Sequence, residues 1–354
     1  MYQLASDAGA ERLAWEWYDS IDRKGQVGTR HHIVPRTILR RFANSGQIRV
    51  RDRFTGKLRL VSVGDLSVKN FYTFVDLDML PNGAMEVWLS EVEAEFARVV
   101  RPFFSTTAFG QARPPTGMDR FALDTFVAVQ ALRGMRTRRA MEIVADYGMK
   151  LVNQDKLDVT EIHGLEIVPH QNEHIRFIQR ASEQLADHLA GRPVSVVRFD
   201  ETLLVVSDEP VVLTPRDGTP KGDLRKRLQI NGERVSPRDL VQISNGRDVG
   251  FFDAEEVVLP LSPRHALVYG DFQSPTQMPA TWTIHGQEGT RVARELNRLQ
   301  ARGAFGWVAA HPDGPHLAQI PWSPPAPAAT IYDDHSVPAA VANGRPHARP
   351  HRFN

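Results

Sequence analysis

Two adjacent histidines near the start of the chain carry side chains that can bind a metal or move a proton. His31 and His32 lie in the sequence RHHIVPR at 30–36, where Pro35 favours extended backbone in the residue before it. Adjacent side chains of an extended segment point to opposite sides. One imidazole can therefore act as a general base or ligand while the other contacts the scaffold. The alternative is one histidine hydrogen-bonded in the core and one on the surface.

Arginines surround these histidines in the sequence. The four are Arg30, Arg36, Arg40 and Arg41. A guanidinium presents a planar fork of donors that matches the oxygens of phosphate or carboxylate. We therefore predict an anion-binding corner in this part of the chain, with Arg36 and Arg40 as substrate-binding residues.

Two neighbouring carboxylates follow an apolar run later in the chain. Asp208 and Glu209 come shortly after the run at 203–206. Acidic groups at the carboxyl end of a core strand are well placed for a metal or a substrate. We predict that both are catalytic and that they bind Mg²⁺ or Mn²⁺ or orient His32. The alternative is a strand-ending turn in which Ser207 or Asp208 caps local backbone.

A third candidate group lies along a predicted helix. Gln130, Arg133 and Arg136 recur at a spacing of three and share one side of that helix. Because the helix is otherwise apolar, we expect Arg133 to be partly buried, and a buried guanidinium requires an anionic partner. If the partner is a phosphate, all three residues bind substrate. The alternative is an internal carboxylate, either at 208–209 or on the helix predicted at 85–104.

The order of these motifs resembles that of the domain-of-unknown-function family 4238. HHIVP followed by ILRRFA looks like the family's opening His-His-aromatic-x-Pro and Leu-Arg-x-Phe. Further similar pieces occur at 91–96, 130–139, 204–210, 259–263 and Asn297. This sequence departs from the family at Val206 and Glu209, where the family has Thr and Asn. The resemblance covers about residues 30–309. It implies little about activity, because the family is defined by sequence.

The same opening also resembles the first strand of HNH-type nucleases, which often reads His-His-Ile-x-Pro. In those enzymes one histidine is a general base beside a divalent metal. They also need a second metal-binding histidine on a following helix. Here the next histidine is His163, which does not fit that spacing.

The composition excludes several classes of protein. The 354 residues include 43 Lys and Arg against 42 Asp and Glu, so no global field draws the chain to nucleic acid. The lack of cysteine excludes disulfides, a thiol nucleophile and Cys-ligated zinc. No secretion signal is visible, and no stretch reaches the ~20 apolar residues of a membrane span. We expect a cytoplasmic protein with no membrane partner and leave its oligomeric state open.

Hydrophobic periodicity predicts an α+β fold with a single large domain. A helix is expected within 1–29, and the domain is expected to occupy 30–320. The domain should contain a basic β-hairpin, a central helical layer and a C-terminal mixed sheet. Its predicted elements are a hairpin at 47–62, helices at 85–104, 117–147, 170–190 and 288–302, two strands within 194–214, and a strand, turn and strand at 257–270. Residues 321–354, rich in Pro, Ala, His and Arg, are predicted to be a disordered tail.

Several of these predicted charges are expected to face solvent. They include Arg138 and Arg139 on the second long helix and the basic face of the hairpin, which carries Arg49, Arg51, Arg53, Lys57 and Arg59. A solvated face is the usual role of charges spaced in this way.

Together these residues predict a metal-dependent phosphodiester hydrolase resembling a nuclease, with a role in stress response or phage defence as one hypothesis. His31 or His32 would be the base or a ligand, the carboxylates at 208–209 would hold the metal, and the arginines would clamp phosphate. The alternative is a non-catalytic module that binds nucleic acid or another anion, in which the same cluster is structural.

Overall fold

The computed structural model describes most of the predicted domain and parts of the predicted tail. The described residues are 30–66, 68–69, 73–75, 81–105, 109–153, 168–201, 203–214, 242–244, 249–271, 278–322, 328 and 330–332. The helix predicted within 1–29 lies outside them, as do most residues of the predicted tail.

The described helices agree with most of the predicted ones. They are α1 (Arg36–Leu39), α2 (Ala84–Val100), α3 (Gly117–Leu132), α4 (Met135–Asn153), α5 (Gln171–Ala190) and α6 (Gly286–Gly303). The single helix predicted at 117–147 is wrong, because the chain breaks at Arg133 and Gly134 and forms α3 and α4 instead. The break admits the carboxylate of Glu209, which would overlap any Cβ atom at Gly134.

Short strands surround these helices. They are β1 (Arg30–His31), β2 (Gln47–Asp52), β3 (Leu58–Ser62), β4 (Val68–Lys69), β5 (Phe74–Val75), β6 (Pro81–Asn82), β7 (Val194–Phe199), β8 (Val206–Ser207), β9 (Val212–Thr214), β10 (Gln242–Ser244), β11 (Glu256–Ser262), β12 (His265–Tyr269), β13 (Thr281–Ile284), β14 (Trp307–Ala310) and β15 (Thr330–Tyr332). Helices and strands thus share one α+β domain, as predicted.

Two sheets contain most of the longer strands. The five-stranded sheet has the order β13-β7-β12-β11-β9, and only its β13–β7 pair is parallel. This confirms the predicted C-terminal mixed sheet. The antiparallel four-stranded sheet has the order β3-β2-β14-β8. The predicted hairpin is therefore not a separate unit, since β2 pairs with a strand from the far end of the domain.

The basic face of the hairpin is covered rather than solvated near that pairing. Arg53 is only 3% exposed and donates to the carbonyl of Ala301 at 2.9 Å. Arg51 donates to the carbonyl of Leu317 at 3.0 Å. The guanidiniums of Arg51 and Arg53 also stack on Trp322, at 4.4 Å and 4.6 Å respectively from its ring centroid. The expectation of a solvent-facing arginine row is wrong here, because these side chains bind C-terminal carbonyls; Lys57 and Arg59 are exposed.

Some described residues of the predicted tail pack on other parts of the chain. Trp322 lies against the hairpin arginines, and Ala328 is fully buried beside Ile143 and Tyr147 of α4. Strand β15 pairs antiparallel with β10.

Helix α3 forms the centre of the helical layer. Every residue from 126 to 132 is buried, because α2 packs against one side of α3 and α5 against another. The rings of Phe96 and Phe126 stack between α2 and α3, with centroids 3.5 Å apart. Burial on all sides explains why the apolar run of this helix exceeds the single stripe of a surface helix.

A buried arginine joins the helical layer to the mixed sheet. Arg192, just after α5, is 1% exposed and donates to the carbonyls of Ala254, Glu255 and Gly270 at 2.7–3.0 Å. These carbonyls lie at the ends of β11 and β12. One planar guanidinium can satisfy several acceptors at once, which a lysine ammonium on a flexible stem does less well.

Replacing this arginine should destabilise the fold strongly. Arg192→Met fills similar space but leaves three carbonyls without their donor, and each such loss costs about 1–3 kcal/mol. We expect the free energy of unfolding in urea to fall by at least about 3 kcal/mol. Arg113→Met, at an exposed position, is the control and should change it by less than about 0.5 kcal/mol. Equal effects of the two substitutions would contradict this role.

Candidate functional site

The two histidines occupy different environments. His31, on β1, is 3% exposed, and its Nε2 lies 3.6 Å from Oε2 of Glu86 in the first turn of α2. His32 is half-buried. Pro35 then stands at the N-cap of α1, where the missing N–H is not needed by the helix. The exposed arginines Arg36 and Arg40 follow on α1 and the 3₁₀ turn after it.

The end of α3 binds the histidine segment through a main-chain carbonyl. Gln130 Nε2 donates to the carbonyl of Ile33 at 3.0 Å, and Arg133 Nε donates to the same oxygen at 2.7 Å. Arg133 Nη1 also donates to Oε1 of Glu93 on α2 at 2.8 Å. Arg133 thus has the internal carboxylate partner that was the alternative to a substrate phosphate.

The two neighbouring carboxylates bind main-chain N–H groups at two other turns of the chain. Asp208 accepts from the N–H groups of Phe305 and Gly306, the former at 2.9 Å, just before β14. Glu209 Oε1 accepts from the N–H of Arg136 at 2.8 Å, in the first turn of α4. A helix N-terminus has unsatisfied N–H groups and a partial positive charge, so a carboxylate there is stabilising.

Helix α6 holds the strand end that carries these carboxylates. Asn297 Oδ1 accepts from the N–H of Val205 at 2.9 Å, and its Nδ2 donates to the carbonyl of Leu203 at 2.7 Å. Gln300 Nε2 donates to the carbonyl of Pro210 at 2.6 Å, and its Oε1 lies 2.6 Å from the Ser207 hydroxyl. Sequence reasoning noted Asn297 but missed Gln300, although amides three residues apart on an amphipathic helix are a usable signal.

The donor set at Asp208 and Glu209 does not fit a divalent cation. Mg²⁺ and Mn²⁺ need carboxylate lone pairs that are directed at the ion. Here three of the four carboxylate oxygens accept main-chain hydrogens, and the positive charge of Arg53 acts on Asp208. Over the residues that the structure describes, no three His, Asp or Glu side chains converge as metal ligands would.

The buried position of Asp208 changes its acidity. Complete burial, together with the charge of Glu209, raises the pKa of Asp208 to about 7, although its bonds to main-chain N–H groups act in the opposite direction. This carboxyl group therefore gains its proton in the folded protein at a pH where an exposed aspartate is ionised.

Charged residues along α4 are also buried, which contradicts the expected solvated face. Arg138 and Arg139 are 5% and 1% exposed, and both pair with Glu142, at 3.6 and 3.0 Å. Further along the helix, Lys150 pairs with Asp146 at 2.8 Å. Helical spacing identified charges on one side of α4, but it did not reveal that this side is covered.

A cavity of about 520 Å³ lies between α4 and α5. Three of its lining side chains are polar, Arg136, Thr137 and Glu173, and the others are apolar, among them Met141 and Phe177. A ligand pocket of this size is typically apolar with a few polar groups. Its lining differs from the dense positive charge that phosphate contacts on nucleic acid require.

These observations define an α+β domain with a buried network of arginines, amides and carboxylates between its helical layer and its sheets. Residues 30–314 match the family described as Protein of unknown function (DUF4238), and the chain belongs to this family. This confirms the resemblance seen in the sequence motifs. No curated protein and no solved structure matches the chain. In the described part of the chain, no helix has the length and apolar character that crossing a bilayer requires.

The contact between Glu209 and the α4 N-terminus predicts a specific requirement for glycine. Gly134→Ala places a methyl group where both Glu209 oxygens lie, so the carboxylate must move away from the Arg136 N–H. We expect a loss of about 2–4 kcal/mol in the free energy of unfolding, measured in urea. Gly148→Ala, within α4 and facing open space, is the matched control. It should be neutral or stabilising by up to about 1 kcal/mol, and a similar loss in both variants would contradict the prediction.

The raised pKa of Asp208 predicts how stability depends on pH. Between the ordinary value of 3.8 and about 7, the folded state holds a proton on Asp208 that the unfolded state has released. The stabilisation that protonated Asp208 contributes to the folded state is therefore complete below about pH 4 and is lost as the pH rises through 7. The stability of the wild type relative to Asp208→Asn should fall between pH 5 and 8, by at most about 1.4 kcal/mol per pH unit.

Wild type must be compared with Asp208→Asn because the buried histidines change the stability with pH in the opposite direction. Burial lowers the pKa of His174 to about 3 and that of His265 to about 4, so their contribution is lost as the pH falls below 6.5. Urea unfolding of both proteins at each pH isolates Asp208. A constant difference from pH 5 to 8 would show that Asp208 is ionised throughout.

Proposed function

We propose that this protein is a non-catalytic, anion-binding module in which the network around Asp208 and Glu209 is structural. The observation that carries this proposal is the bonding of both carboxylates to main-chain N–H groups at 305–306 and at Arg136. Side chains that hold two turns of the fold in this way are poorly suited to accept a metal or a substrate proton.

The contacts of the other candidate groups support the same proposal. His31 lies beside Glu86, Gln130 donates to the Ile33 carbonyl, and Arg133 pairs with Glu93. A general base must reach the proton that it removes, and a phosphate clamp must present its donors to the substrate. The metal-dependent phosphodiester hydrolase stays a prediction, with half-buried His32 as its remaining candidate base.

The anion-binding part of the proposal depends on local rather than global charge. With a formal net charge of +1, only a local group of cations can attract an anion. Arg36 and Arg40 are exposed beside the histidine segment and supply such charge. A cytoplasmic location is part of this proposal, because a chain without cysteine needs no oxidising compartment.

A cleavage assay combined with unfolding measurements tests the proposal. Wild type and His32→Ala are incubated with mixed DNA and RNA, with Mg²⁺ or Mn²⁺ and with EDTA. We expect no metal-dependent cleavage by either protein. In parallel, Glu209→Ala should lower the free energy of unfolding by about 3 kcal/mol, because it leaves a buried N–H without its acceptor and opens a cavity.

The matched control is Glu95→Ala, since Glu95 is exposed and forms only a surface ion pair with Arg98. Removing the Glu95 carboxylate should lower the free energy of unfolding by less than about 1 kcal/mol. Metal-dependent cleavage that disappears in His32→Ala would replace this proposal with the hydrolase. Unchanged or increased stability of Glu209→Ala would indicate a functional rather than a structural carboxylate.

A further inference from the structure

Three arginines from separate parts of the sequence meet around His265. Arg41 follows α1, Arg198 lies on β7, and Arg264 precedes His265 at the start of β12. Arg198 is the direct cross-strand partner of His265 in the mixed sheet, and the positive charges of all three arginines act on the His265 ring.

Two phenylalanines hold this cluster in place. The guanidinium of Arg41 lies over Phe104, 3.7 Å from the ring centroid, and that of Arg198 lies over Phe109 at 4.7 Å. Both rings meet His265 edge to face, with centroids 5.1 and 5.7 Å from the imidazole centroid. Stacking on an aromatic face fixes a guanidinium and leaves its edge N–H groups able to donate.

This cluster contains cations without a balancing carboxylate. Among the described residues, no Asp or Glu oxygen lies within 4.0 Å of a guanidinium nitrogen of Arg41, Arg198 or Arg264. Burial lowers the pKa of Arg41 to about 10, with no carboxylate acting against it. Other buried guanidiniums in this fold have acceptors, such as Glu93 for Arg133.

We propose that Arg41, Arg198 and Arg264, together with His265, bind the phosphate group of a small molecule. The inference rests on the anion-binding function proposed above and assigns it a site and a ligand class. A phosphate offers several oxygens to converging guanidinium forks and compensates more than one positive charge. Ser262 Oγ lies 2.9 Å from His265 Nδ1 and orients the ring, so Nε2 is the atom left to meet the ligand.

The partial burial of the cluster favours a small molecule over a nucleic acid strand. Arg41, Arg198 and His265 are each half-buried, and only Arg264 is exposed. Nucleic-acid binding instead uses basic residues along an accessible surface that follows the phosphate backbone. Phe104 is half-buried, so an aromatic ring attached to the phosphate can pack on its accessible part.

Calorimetric titration at low ionic strength tests this site. The probes are inorganic phosphate, phenyl phosphate and a single-stranded oligonucleotide, added to wild type, Arg41→Gln, Arg198→Gln and Arg101→Gln. Arg101 is exposed on the 3₁₀ turn that leads to Phe104, so its variant removes the same charge nearby. We expect both phosphate probes to bind wild type and Arg101→Gln, with at least tenfold weaker binding to the other two variants.

Thermal melting separates loss of binding from loss of folding. Without ligand, Arg41→Gln and Arg198→Gln should melt close to wild type, because the lost stacking on a phenylalanine is offset by weaker repulsion between the cations. Phosphate should raise the Tm of wild type but not of these variants. Tighter binding of phenyl phosphate than of inorganic phosphate would identify a phosphomonoester as the ligand, whereas equal binding would identify the free ion.

The outcomes distinguish failure of the site from failure of the function. Phosphate binding that is equal in all four proteins overturns this site and leaves the anion-binding module intact. Binding of the oligonucleotide alone overturns the small-molecule assignment. If wild type is folded and binds none of the three probes, both this inference and the proposed function are overturned.

Discussion

The carboxylate of Glu209 accepts a hydrogen bond from the N–H of Arg136 at the point where the chain leaves α3 and begins α4, and this contact ties the break between the two helices to the strand end at 206–207. A charged acceptor at a helix start satisfies an otherwise unpaired donor and suits the helix dipole. Because Gly134 lacks a side chain, the carboxylate can approach the turn closely. Helix α3 can then end inside the core, with its last residues buried, and α4 begins at Met135 as a separate helix.

The other buried polar groups follow the same rule, in which a side chain from one element satisfies the main chain of another. Asp208 binds the turn before β14, Asn297 and Gln300 bind the strand end at 203–210, and Arg192 binds three sheet carbonyls. A buried polar group without a hydrogen-bond partner destabilises the fold, so each of these side chains is needed at its position. Arginine suits this task because its fork reaches several acceptors.

Sequence periodicity was sufficient for α2, α5, α6 and the strands β7, β11 and β12, since each has its own apolar pattern, whereas β13 was not predicted. It failed at the α3–α4 break because the apolar spacing continues through it, while the cause lies 73 residues further on, at Glu209. The types of the polar residues were also readable. Their hydrogen-bond partners could not be predicted, because these are main-chain carbonyls and N–H groups, which the spacing of side chains in the sequence does not identify.

The cluster around His265 was missed for a related reason, since residues 41, 198 and 264 form no local motif. This cluster differs from the buried network around Asp208 and Glu209 in the partners of its arginines. Arg133 and Arg192 have carboxylate or carbonyl acceptors, so their N–H groups already serve the fold. Arg41 and Arg198 rest on aromatic rings, which position a guanidinium without accepting its edge hydrogens. A ligand anion would supply the acceptor that their described surroundings lack, and for this reason we place the proposed phosphate site at these arginines rather than at Arg133 or Arg192.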